Sequence, residues 1–87
     1  MGFSRDEFDR ILPSALDNRP FVVESNVVTV QIGGGTMKMV ISEQKARKIA
    51  SLSLPYLDIG FSFEQLSEVD VEEIMRFFEL RYQRGGG

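Results

Sequence analysis

Val27-Val28-Thr29-Val30-Gln31-Ile32-Gly33-Gly34-Gly35-Thr36-Met37-Lys38-Met39-Val40-Ile41 decides the fold, because its side chains alternate in character at every second position. Val28, Val30 and Ile32 fall on one face, and Thr29 and Gln31 on the other. After the glycines the alternation resumes, with Met37, Met39 and Ile41 opposed to Thr36, Lys38 and Val40. Two strands with one apolar face each, joined by a tight reversal, are the economical reading. Upstream, Phe21-Val22-Val23-Glu24 is a short strand, and Ser25-Asn26 supplies a two-residue hairpin loop. The three runs predict an antiparallel meander.

The meander is flanked by helical patterns. Phe3-Ser4-Arg5-Asp6-Glu7-Phe8 carries a capping box, Ser4 with Glu7, and a hydrophobic staple, Phe3 with Phe8. Phe8, Ile11, Leu12 and Leu16 continue one apolar stripe, which Pro13 is expected to kink or end. Downstream, Ser67 and Asp70 approximate a second capping box, and Val71, Ile74, Met75, Phe78 and Tyr82 form its stripe. Acidic residues gather at the start of that helix, and Arg81 and Arg84 at its end, as the helix dipole favours.

Two segments complete the chain. Leu57, Ile59, Phe61 and Phe63 alternate with Asp58, Gly60, Ser62 and Glu64, a half-buried strand. Leu52 and Leu54 have the opposite parity, so a bulge or edge position is expected near Pro55. Residues 43–50 are rich in good helix formers, and a two-turn helix is favoured there over an extended loop. The expected fold is α+β: a four-stranded, mainly antiparallel sheet with N- and C-terminal helices packed on one face. Residues 1–87 read as one small domain, with 85–87 a flexible glycine tail. Its core draws on Phe8, Ile11 and Leu12, then Val28, Val30 and Ile32, then Met37, Met39 and Ile41. Leu57, Ile59, Phe61 and Phe63 follow, with Ile74 and Phe78 closing it.

Composition narrows the chemistry. Without cysteine or histidine, thiolate chemistry, disulfides, a tetrahedral zinc site and the commonest general base are unavailable. A net charge of −3 disfavours nucleic acid as a partner. No apolar run reaches the ~20 residues that span a bilayer, and no secretory signal opens the chain, so a cytoplasmic location is expected and no membrane partner. No catalytic, cofactor-binding or metal site is expected, and enzyme activity is not.

Each remaining motif has a structural explanation beside its functional one. Gly33-Gly34-Gly35 sits between two strands, where hairpins need positive φ, rather than between a strand and a helix as in phosphate loops. Lys45, Arg47 and Lys48 form a weak basic patch with no interleaved aromatic residue, and read as a solvated face. Glu72 and Glu73 point about 100° apart on a helix and cannot converge on one ion. Ser51 and Ser53 could be served only by Lys45 or Lys48 as base. Phe77 and Leu80 fall outside the apolar stripe of their helix and mark a candidate partner surface. A two-fold homodimer is its simplest use, and an unknown protein partner the other.

Arg84-Gly85-Gly86-Gly87 resembles the ends of ubiquitin-like proteins and of the sulfur carriers for thiamine and molybdopterin synthesis. That resemblance implies a carrier acting through its C-terminal carboxylate. In those families the tail leaves a β-grasp core after a strand, whereas here the preceding element is a helix. A glycine after a helix is also an ordinary C-cap, which assigns Gly85 that role. Ile49-Ala50-Ser51-Leu52-Ser53-Leu54-Pro55, taken with Gln83-Arg84-Gly85-Gly86-Gly87, is similar to a family of small uncharacterised bacterial proteins. It implies no activity, cofactor or site, and makes the tail part of the natural chain. The leading expectation is a non-catalytic interaction module, with the carrier as the alternative.

Overall fold

The computed structural model describes residues 1–83. Its first helix, α1 (Arg5–Ala15), starts as the sequence dictates: Ser4 Oγ accepts from the Glu7 N–H at 3.2 Å, and the Ser4 N–H donates to Glu7 Oε1 at 3.3 Å. Pro13 lies inside the helix, which runs only two residues beyond it. Asp17 and Asn18 then turn the chain with φ of 53° and 57°, a left-handed conformation that short polar side chains tolerate.

Three strands follow, β1 (Phe21–Glu24), β2 (Val27–Ile32) and β3 (Gly35–Ile41), then β4 (Lys45–Ile49), β5 (Leu52–Tyr56) and β6 (Ile59–Glu64). The chain closes with α2 (Glu68–Tyr82). The main sheet runs β1-β2-β3-β6, every neighbour antiparallel, so the predicted four-stranded α+β architecture is the observed one. Register puts Val30 against Met37 and Met37 against Phe63, and Val28 against Met39 and Met39 against Phe61. Those residues make the apolar face on which both helices pack. The opposite face carries Thr29, Lys38 and Ser62 in one row, and Gln31, Thr36 and Glu64 in another.

Phe8, Leu12, Val28, Val30, Met37, Met39, Ile41, Leu57 and Phe78 are sealed from solvent. Ile11, Ile59, Phe61 and Phe63, expected in the core, are only partly buried, three of them because β6 is an edge strand. Tyr82 joins the two helices: its ring stacks on Phe8 at 5.0 Å, and its hydroxyl donates to the Phe8 carbonyl at 2.8 Å. Phe78 meets Phe61 edge-on at 5.5 Å, so the aromatic cluster also ties α2 to the sheet. Each such ring pair adds about 0.5–1.5 kcal/mol beyond its buried area. Gly35 is required where β3 begins, because a Cβ there would lie 2.4 Å from the Gln65 carbonyl and 2.6 Å from that of Glu64.

Two expectations are corrected. Residues 43–50 are not helical; Lys45–Ile49 is a strand paired with Leu52–Tyr56 in a separate two-stranded sheet. Near Pro55 the edge alternative holds and the bulge does not: Pro55 lies on β5, an edge strand of the two-stranded sheet, and the parity change separates β5 from β6, which belong to different sheets. The second helix also stops earlier than the glycine run: Gln83 is its C-cap, in extended conformation, with its N–H donating to the Leu80 carbonyl.

Candidate functional site

The β4–β5 hairpin is the part of the molecule that the core does not explain. Every residue of β4 is exposed, as are Leu52, Ser53 and Leu54 of β5. The described fold is elongated, 47 × 29 × 20 Å, with a radius of gyration of 13.8 Å. A compact chain of this length has about 12 Å. Two-stranded hairpins are marginal in water when nothing packs on them.

Its two faces differ chemically. Paired residues share a face, so Lys45 with Tyr56, Arg47 with Leu54, and Ile49 with Leu52 define one side. The other side carries Ala46 with Pro55 and Lys48 with Ser53. On the first side Ile49, Leu52 and Leu54 are 51%, 60% and 45% exposed, an apolar patch on neighbouring strands. The Arg47 guanidinium lies 5.6 Å and the Lys45 ammonium 6.0 Å from the Tyr56 ring centre, within cation–π range. A cleft of about 380 Å³ opens beside the patch, between Met1 and Gly2 on one wall and Arg47, Ile49, Leu54 and Tyr56 on the other.

The root of the hairpin is anchored by polar contacts. Lys45 Nζ donates to Asp58 Oδ2 at 2.7 Å. That hydrogen bond and the opposite charge hold Lys45 above its ordinary range and Asp58 below its own. Both groups are open to water, so the pair orients the root more than it stabilises the fold. Leu57 and Met1 exchange backbone hydrogen bonds at 2.7 and 2.6 Å, and Gln44 accepts from the Arg5 N–H at 2.9 Å. The tip is a two-residue loop, Ala50-Ser51, with Ala50 at φ 55°.

The sequence-derived candidates separate in space. The basic patch splits, Lys45 and Arg47 on the apolar side and Lys48 on the other, and Tyr56 supplies the aromatic neighbour that the linear sequence lacks. Lys48 does lie opposite Ser53, but both are exposed, whereas a lysine base needs an apolar burial site. On α2, Leu80 is 61% exposed, while Phe77 is half-buried with Arg81 over its ring at 4.8 Å. Glu72 and Glu73 are exposed on α2, and among the described residues no group of three acidic side chains could hold a metal ion. The tail candidates Arg84, Gly85, Gly86 and Gly87 lie outside the described residues. No helix of the described residues is long and apolar enough to cross a membrane.

Sequence reasoning missed the hairpin because its signals conflict. Glu43-Gln44-Lys45-Ala46-Arg47-Lys48 favours helix residue by residue, and Ala50-Ser51 lacks the Gly or Asn of a tight turn. The available signal was Leu52-Ser53-Leu54, a strand whose parity disagreed with its successor and which therefore needed another partner. No protein-family model, curated protein or solved structure matches the chain.

Proposed function

We propose that the protein is a small, non-catalytic, cytoplasmic interaction module that grips a protein partner with the β4–β5 hairpin. The observation that carries this reading is the exposed side of Ile49, Leu52 and Leu54, held on a strand pair that contributes no buried residue to the core. Adjacent apolar side chains on an exposed strand pair have a cost in solubility and no return in stability unless something covers them. The nearby cleft gives a partner side chain somewhere to enter.

The partner is another protein or a second copy of the chain, with Leu80 as the accessory contact in the second case. The test places a photo-cross-linking amino acid at position 52 in the full chain, in its native cells, with a second variant carrying it at position 29. Adducts at 52 and none at 29 support the hairpin as the grip; equal labelling at both, or none at 52, rejects it. Sedimentation velocity distinguishes the partner: a dimer weakened by Leu80→Asp identifies self-association, and a monomer unaffected by it identifies a foreign partner.

A further inference from the structure

We infer that the outer edge of β4 receives an extended acidic segment of a partner protein, which adds to the hairpin as a third strand. The inference rests on the hairpin being the partner surface and names what that partner presents. It follows from the parity of the ladder. In an antiparallel pair closed by a two-residue loop the closing residues are hydrogen-bonded to each other, and bonded and non-bonded pairs then alternate. The same parity holds in the main sheet, where Gln31 N–H donates to the Pro20 carbonyl and Ile41 N–H to the Asn26 carbonyl.

Applied to β4–β5, the rule makes Ile49–Leu52, Arg47–Leu54 and Lys45–Tyr56 the bonded pairs. Ala46 and Lys48 then direct N–H and C=O groups outward from β4, while Ser53 and Pro55 do so from β5. The two edges are not equivalent. Pro55 has no N–H to offer, and proline on an edge is a standard block to strand addition. Leu54 and Pro55 are also flanked by Gly2 and Glu7 of the body. On β4 the edge is unblocked, and among the described residues no strand pairs with it.

Charge selects the occupant. Residues 45–56 contain Lys45, Arg47 and Lys48 and no acidic side chain, so all 13 Asp and Glu residues of the chain lie elsewhere. An incoming strand meets Arg47 on one face, where Lys45 is already paired with Asp58, and Lys48 on the other, so acidic residues are favoured on both of its faces. A second copy of β4 would set like charges against one another, and a second copy of β5 would bring Pro55 to the junction. The fitting segment is therefore foreign, extended and acidic with apolar residues interspersed.

The test uses the full chain and a capped, fluorescein-labelled nine-residue peptide of three Glu-Glu-Val repeats, which carries glutamate on both faces when extended, with the Lys-Lys-Val counterpart as control. Anisotropy is expected to show binding of the acidic peptide only, and hydrogen exchange to show new protection at the Ala46 and Lys48 amides. Ala46→Pro, which removes an outward N–H but none of the β4–β5 ladder, is expected to weaken binding at least tenfold. Arg47→Glu with Lys48→Glu is expected to transfer the preference to the lysine peptide. No binding at millimolar peptide, protection at β6 instead, or affinity indifferent to Ala46→Pro would each overturn strand addition. So would equal competition by a uridine oligonucleotide that Ala46→Pro leaves untouched, since that is attraction to phosphate. Should Ala46→Pro disturb the hairpin, the protection pattern of the unmodified chain still decides. If cross-linking at position 52 succeeds while the peptide fails, the partner covers the apolar side alone and only this inference falls.

Discussion

The β2–β3 and β4–β5 hairpins share a backbone plan and differ in everything that stabilises it. Both are antiparallel with two-residue loops, and the first loop residue has φ 57° at Gly33 and 55° at Ala50. In the first, Val28, Val30, Met37 and Met39 are fully buried beneath two helices. In the second, no residue reaches the core, and a left-handed alanine stands where glycine would be relaxed. Ladder hydrogen bonds exchange with water at small net gain, so burial separates a structural hairpin from one held ready for something else. Stability and recognition are therefore expected to reside in different residues.

The strongest way to break that division is through the core. Phe78→Ala removes a fully buried ring that contacts Phe8, Phe61 and Tyr82, and is expected to cost about 3–5 kcal/mol, enough to unfold much of a domain this small. Chemical denaturation measures it; a loss below 1 kcal/mol would mean that the core lies elsewhere. Gly35→Ala comes next. The added methyl meets the carbonyls of Gln65 and Glu64, so the β3 start or the turn before α2 must shift, at about 1–3 kcal/mol. A fully stable Gly35→Ala protein would contradict the close approach.

Tyr82→Phe is a finer probe, expected to cost about 1 kcal/mol for the lost bond to the Phe8 carbonyl. It also carries a pH signature. Burial, helped by the negative charge of Asp9, pushes the Tyr82 hydroxyl above its ordinary value, so the folded state keeps a proton that the unfolded chain releases near pH 10. The Tyr82 contribution is constant below pH 10 and declines as pH rises beyond it. Tyr82→Phe should flatten that decline, and an unchanged alkaline slope would locate it in another group. The smallest effect sharpens the other side of the comparison: Leu52→Ser should change stability by no more than about 0.5 kcal/mol while abolishing partner cross-linking from a photo-reactive residue at position 49, on the same face. A large stability loss there would make the hairpin part of the folding unit.

This division also explains what could be read in advance. The meander, both capped helices and the β6 alternation were legible because burial on one face imposes a period on the residues, as with Val28, Val30 and Ile32. Residues 45–49 carry no such imprint, since none is buried, and their helix-forming composition pointed the wrong way. Leu80 lies outside its stripe and is exposed, but Phe77, beside it on the same wheel, is sheltered by Arg81. That shelter depends on a rotamer, which a helical wheel does not contain.

The bond from Tyr82 to Phe8 spans 74 residues of chain. The aromatic face of α1 thus stays uncovered during synthesis until α2 has emerged. Folding of the body is delayed until α2 is made, while the pairing of β4 with β5 needs no residue beyond Tyr56. The strand pair proposed for recognition is thus complete in the nascent chain before the core is closed.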